Sequence, residues 1–102
     1  MDVRFLANPY FVPELQEKDG LDRDVYEFVL QDTETQTFME KFYDLLCFLI
    51  PRYEKEGKAY LSIAIGCTGG RHRSVTIAEA IAVELNRHGR SITIRHRDID
   101  RL

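Results

Sequence analysis

Tyr60-Leu61-Ser62-Ile63-Ala64-Ile65-Gly66-Cys67-Thr68-Gly69-Gly70-Arg71-His72-Arg73-Ser74-Val75 is the stretch on which the reading of this chain turns. Its first six residues are a compact aliphatic run of the kind that fills a central strand, and Gly66 ends it. Beyond the loop, Ile77, Ile81 and Leu85, with Ala78 and Ala82, mark one helix face. Arg87 and His88 suit its last turn and Gly89 its stop. Ser91-Ile92-Thr93-Ile94 predicts a second strand. Strand, tight loop, helix, short turn and strand make a βαβ unit, whose strands pair in parallel through a right-handed crossover. The expected fold class is α/β, with a small, mainly parallel sheet flanked by helices.

Upstream, Val3-Arg4-Phe5-Leu6 predicts a short strand that runs into a rigid loop set by Pro9 and Pro13. Asp19-Gly20 signals a turn. Asp24 and Glu27 have capping-box spacing ahead of Val25, Phe28 and Val29, which predicts a short helix. Thr37 and Glu40 repeat the signature before Phe38, Phe42, Leu45, Leu46, Leu49 and Tyr53, a long core helix that should end or kink near Pro51. Cys47, amid Leu45, Leu46, Phe48 and Leu49, reads as a small core hydrophobe.

With 102 residues, 44% of them hydrophobic and 30% charged, the chain is expected to form one domain with no room for a second core. Its longest apolar run, 45–50, is far shorter than the roughly 20 residues of a membrane span, and the first residues do not read as a secretory signal, so a cytoplasmic location is expected. Two cysteines are too few for a secreted disulfide scaffold, so both are expected to be reduced. The net charge of −3 conceals an asymmetry. Residues 1–70 carry seven Lys or Arg against thirteen Asp or Glu, whereas residues 71–102 carry seven against four. A basic carboxy-terminal third on an acidic body points to an anionic ligand at one end.

The chemistry concentrates between Gly66 and Ser74, where a strand is expected to give way to a helix, the place at which ligands bind in open α/β sheets. Gly69 and Gly70 let consecutive N–H groups turn inward as an anion nest, and Thr68 and Ser74 add hydroxyls. A helix starting near Ser74 offers its positive end, Arg71 and His72 add basic groups, and Arg73 could clamp phosphate oxygens. The bland alternative is a tight turn ringed by solvated basic side chains. A Walker A loop is excluded by the absence of GxxxxGK[ST]. The spacing of Cys67, Arg73 and Ser74 also resembles the signature of cysteine-dependent phosphatases, in which a thiolate attacks phosphorus inside a cradle closed by arginine. In that reading Cys67 and Arg73 are catalytic, although Gly66 stands where many of those enzymes have histidine. Cys67, His72, His88 and His96 form no zinc pattern, and no metal or cofactor is expected.

Taken together, 2–9, Gly20-Leu21-Asp22, 64–75 and Arg95-His96-Arg97-Asp98 resemble the carboxy-terminal domain of the RapZ family of RNase adapter proteins. The resemblance implies a fold similar to a phosphofructokinase subdomain, in a position behind a P-loop domain that this chain does not contain. It implies a regulatory module without a catalytic role that senses glucosamine-6-phosphate and takes part in small-RNA binding. Thr68, Gly69, Gly70, His72 and Arg73 would hold the sugar phosphate, or a simpler phosphate or sulfate anion. Arg4, Asn8 and Tyr10 would lie near the pocket, Tyr10 standing where enterobacterial members have histidine. Arg71, Arg87, Arg90, Arg95 and Arg97 would meet RNA, and an RNase would be the protein partner. A solvated helix end and strand edge is the competing reading of those arginines, and self-association is left open.

Overall fold

An aspartate stands at the N-cap of each of the first two helices. A computed structural model describes residues 1–57, 61–67, 72–87, 89 and 92–96. In it a 3-10 turn over Pro9–Phe11 precedes α1 (Arg23–Gln31), α2 (Thr33–Lys55) and α3 (Arg73–Arg87). Asp22, not Asp24, is the N-cap of α1, and its carboxylate accepts from Asp19 N at 2.8 Å. Asp24 and Glu27, expected to form a capping box, instead pair with Lys18 at 2.6 Å and Arg23 at 2.8 Å.

A single residue joins α1 to α2. Asp32, in extended geometry, ends the first helix and caps the second, where its side chain accepts from Glu34 N at 3.2 Å. Gln36 Nε2 donates back to Leu30 O at 3.1 Å and so covers one of the carbonyls left over at the end of α1. These two contacts start α2 four residues ahead of the Thr37 signature. Nor does α2 stop at Pro51, which lies inside it. The proline supplies no N–H, but Arg52 Nη1 donates to Phe48 O at 2.7 Å, so a side chain satisfies a carbonyl beside the break in the ladder.

The expected α/β fold is not what forms. Among the described residues there are three α-helices and no strand, and the architecture is mainly helical. Residues 61–65 and 92–96 carry strand-like composition but no ladder. Leu61, Ile63 and Ile94 remain 41%, 38% and 38% exposed. The sole described pairing is an isolated parallel bridge between Asp2 and Gly66. The physical reason is that β-branched residues record a preference for a pleated surface, whereas a strand exists only when a neighbour supplies its hydrogen bonds. Here residues 1–3 reach only 64–66, and no described backbone bond joins 61–67 to 92–96. Tyr60 and Ser91, assigned to those strands from sequence, lie outside the described residues.

The core is instead made by helices closing on the amino-terminal segment. Val25 and Val29 of α1, Phe42 and Leu46 of α2, and Ile77, Ile81 and Leu85 of α3 are buried together with Val3 and Leu6. The face read from the spacing of α3 is therefore the face it buries, and Gly89, at φ +80°, follows the helix as expected. Cys47 departs from expectation, since it is exposed, as are Leu45 and Phe48. An unbroken apolar run on a helix wraps all the way round the axis, while only one side of α2 meets the core. Arg52 covers the outward Phe48, its guanidinium carbon 3.6 Å from the ring centroid. No helix of the described residues is long and apolar enough to cross a membrane.

The first turn of α3 is buried against the 19–22 turn. Thr76, fully buried, donates its hydroxyl to Gly20 O at 3.1 Å. A Cβ at Gly20 would stand 2.7 Å from Val75 Cβ and 2.8 Å from Thr76 N, and closer still to His72 O. Gly20→Ala should therefore cost about 1–3 kcal/mol through overpacking. Thr76→Val should cost about 1–3 kcal/mol by leaving the Gly20 carbonyl without its donor. Urea unfolding midpoints check both, and unchanged midpoints would show that this contact is loose.

Candidate functional site

The informative loop begins at a backbone bridge and ends at a helix start. On its upstream side Met1 N donates to Ala64 O (2.6 Å), Gly66 N to Met1 O (2.7 Å) and Val3 N to Gly66 O (2.6 Å). On its downstream side α3 begins at Arg73. Ser74 N donates to Cys67 Sγ at 3.3 Å, and Ser74 Oγ lies 3.4 Å from the same sulfur. The two described ends of the loop, Cys67 and Ser74, are therefore in contact. Thr68, Gly69, Gly70 and Arg71, central to the expected site, lie outside the described residues.

Arg73 is 3% exposed and belongs to the fold as much as to the loop. Its Nη1 donates to Arg4 O and to Leu6 O, the latter at 3.1 Å, while its Nε has no hydrogen-bond partner among the described residues. Both carbonyls are neutral dipoles. A buried cation whose described partners are neutral dipoles, at the positive end of a helix, makes this corner of the molecule electropositive. His72 is also buried, and its carbonyl accepts the Thr76 N–H at 3.0 Å.

Beside the loop a cavity of about 750 Å³ opens between α3 and the extended segments 61–67 and 92–96. Ala78, Ile81, Ala82 and Leu85 form its helical wall, with Ile63, Ile65, Ile92 and Ile94 across from them. Its polar rim gathers Arg4, Cys67, Ser74, Arg95 and His96. Arg4, Cys67 and Ser74 thus line one space. Asn8 and Tyr10 are absent from that lining. Asn8 Oδ1 accepts from Tyr10 N at 3.0 Å and caps the 3-10 turn, while Tyr10 is exposed with its ring edge-on to Phe11.

Of the arginines assigned to RNA, Arg87 and Arg95 are among the described residues. Arg95 is exposed on the cavity rim, whereas Arg87 pairs with Glu84 at 3.0 Å near the far end of α3. Arg90 and Arg97 lie outside the described residues, as do His88 and Arg101.

Two polar pairs at the site escaped the sequence reading. His96 Nε2 lies 2.7 Å from Glu79 Oε1, tying the 92–96 segment to α3. Burial raises the Tyr26 phenol above its ordinary value, and the Glu79 charge adds to the effect. A glutamate within the otherwise small and aliphatic stretch of α3 was the available signal. Asp2 and Arg4 form the other pair, Arg4 Nε donating to Asp2 Oδ2 at 2.7 Å. Asp2 also accepts from Arg4 N at 3.0 Å, and an aspartate two residues ahead of its donor was the local signal for this turn.

The Asp2 carboxyl is held below its ordinary value, first by the Arg4 backbone N–H and then by the Arg4 side chain, against a smaller opposing effect of desolvation. A depressed folded-state value means that this contribution to stability is present above the unfolded-state value and is lost as pH falls through the folded one. Carbon-detected titration should show Asp2 below ordinary aspartates. Arg4→Ala should move it only part of the way back, because the backbone donor survives. A complete return would mean that the side chain alone is responsible.

The whole chain has relatives. A family model described as the RapZ C-terminal domain matches residues 1–100. A nucleotide-binding protein of Anaeromyxobacter dehalogenans strain 2CP-C is 54% identical over 101 residues, which are 99% of this chain and 34% of that protein. One from Geotalea daltonii is 55% identical over 99% of this chain and 35% of its own length. One from Heliobacterium modesticaldum is 52% identical over 99% and 34%. The chain thus spans about a third of the length of these curated relatives.

Proposed function

The chain belongs to the RapZ C-terminal domain family, and from that premise we propose that it is a regulatory adapter module whose 66–74 loop binds a sugar phosphate of the glucosamine-6-phosphate kind. One observation carries this reading. Cys67 and Ser74, which flank the glycine-rich stretch in sequence, are in contact at the amino end of α3, beside a buried arginine whose described partners are uncharged carbonyls. An anion seated there meets the helix dipole and a guanidinium field at once, and it offsets the charge that the fold has buried. Thr68, Gly69, Gly70 and His72 are the groups assigned to the phosphate. Arg71 is assigned to add positive charge, Arg4 lines the nearby cavity beside its Asp2 partner, and Ser74 is assigned to add its hydroxyl. The apolar cavity wall nearby offers a surface for the uncharged face of a hexosamine ring.

The relatives are named nucleotide-binding proteins, and with no P-loop among this chain's residues we assign nucleotide binding to the portion of those longer proteins that lies outside this third. RNA is the macromolecular partner assigned to Arg71, Arg87, Arg90, Arg95 and Arg97, with an RNase as the protein partner. If that assignment holds, affinity falls steeply with salt and drops in Arg90→Ala/Arg97→Ala.

A sugar phosphate present at about 100 times its dissociation constant stabilises the native state by about 2.7 kcal/mol, roughly 10 °C or more in melting temperature for a domain of this size. Thermal unfolding with glucosamine-6-phosphate, glucose-6-phosphate and inorganic phosphate tests this. A shift in the parent protein that is lost in Thr68→Val is expected, and no shift with any of the three overturns the assignment.

The position of Ser74 favours a second reading, cysteine phosphatase chemistry. Its N–H and hydroxyl both approach Cys67 Sγ, as they would to hold a nucleophilic thiolate. Against it, the Arg73 guanidinium is engaged by two carbonyls, where such an enzyme needs it open to the substrate. Phosphate release from a chromogenic ester, abolished by Cys67→Ser, would establish this alternative in place of the first.

A further inference from the structure

We infer that the cavity between α3 and the extended segments 61–67 and 92–96 is a binding slot for the anion of a medium-chain fatty acid. The inference concerns the aliphatic length of that cavity and does not depend on the phosphate reading of the neighbouring loop.

The walls of the slot sort by polarity along α3. Ser74 lines it in the first turn of the helix, and Ala78, Ile81, Ala82 and Leu85 follow toward the other end. From Ser74 to Leu85 the helix rises about 16 Å. Cys67 stands against Ser74 and His96 against Glu79, so both extended segments bring their last residues to the amino-terminal half of α3. A short connection parts Arg87, at the end of α3, from Ile92, so 92–96 starts beside the carboxy-terminal end and runs back along the helix. Leu61, Ile63, Ile92 and Ile94 thus face the aliphatic stretch, while Arg4, Arg95 and His96 gather at the polar end.

The cations at that end are unequally engaged. His96 is taken by Glu79, and Arg4 gives its Nε to Asp2. Arg95 is exposed, and no acidic residue pairs with it among the described residues. A volume of about 750 Å³ is that of a small-molecule site, and a long aliphatic wall ending at an unpaired guanidinium fits a ligand that is apolar along its length and negative at its tip. Such a chain dries Leu61, Ile63 and Ile94, which the empty slot leaves partly exposed. A sugar phosphate is hydroxylated all round and has no surface to set against these residues, and a cationic amphiphile would meet Arg95 with like charge.

Isoleucine δ1 methyl spectra test this on the chain as it stands. Titration with decanoate should shift the Ile63, Ile81, Ile92 and Ile94 methyls saturably and leave that of Ile50, on α2, unmoved. Acetate, a head without a tail, should shift none of them. Decyltrimethylammonium has the same tail and the opposite charge, and should bind about tenfold more weakly or worse, although the net charge of −3 would draw the cation in if the association were merely that of a detergent. Arg95→Gln should weaken decanoate by about tenfold without weakening the cation. Ala82→Leu, which fills the aliphatic length, should block decanoate. If that variant does not fold, Arg95→Gln, at an exposed position, decides. No saturable shift, equal binding of the cation, shifts that spread to Ile50, or an unchanged affinity in Arg95→Gln each overturn the inference.

Discussion

The hydrogen bonds from Arg73 to the carbonyls of Arg4 and Leu6 join residues almost seventy positions apart, and much of the structure is arranged around them. Burying a guanidinium without a carboxylate is tolerable only where oriented dipoles replace its water. Supplying those dipoles requires the amino-terminal segment to turn at Leu6, Val3 to enter the core, and the first turn of α3 to sit under both. Gly20 belongs to the same arrangement, because only a residue without a side chain lets the 19–22 turn approach His72 and Thr76 closely enough to seal the other side.

Much of the helical architecture was legible in the amino-acid pattern. The spacing of Ile77, Ile81 and Leu85 identified the buried face of α3, and the apolar periodicity around Phe42 and Leu46 identified α2. Caps were less legible, since several acidic residues compete for each helix start. Asp22 and Asp32 prevailed over Asp24 and Thr37 through contacts with Asp19, Glu34 and Gln36, whose contributions depend on how the chain folds back. The strands were misread for a deeper reason. Leu61-Ser62-Ile63-Ala64-Ile65 and Ile92-Thr93-Ile94 have the side chains of strands, but a ladder is a property of two segments, and neither run encodes its neighbour.

At the site, the sequence located the loop and its junction with α3, because glycines, hydroxyls and basic residues are crowded there. It could not reveal that His72 and Arg73 are both buried, or that Arg73 reaches back to residues 4 and 6, partners that no local pattern announces. The pairing of Glu79 with His96 was hidden for the same reason, since each looks like an ordinary surface group until the 92–96 segment is laid against α3.

The joint at Asp32 carries a geometric consequence of its own. With one residue between α1 and α2, the phase of the second helix is locked to the first. Each residue added within a helix turns everything beyond it by about 100°. Lengthening α2 by one position near its start would thus swing Phe42 and Leu46 out of the interior and bring Lys41 and Leu45 round into their places. The chain has no slack at this point in which to absorb the rotation, so the helical hairpin behaves as a gear of fixed mesh. Variation in length across such a domain belongs in the 12–22 connection, where turns rather than helices carry the chain.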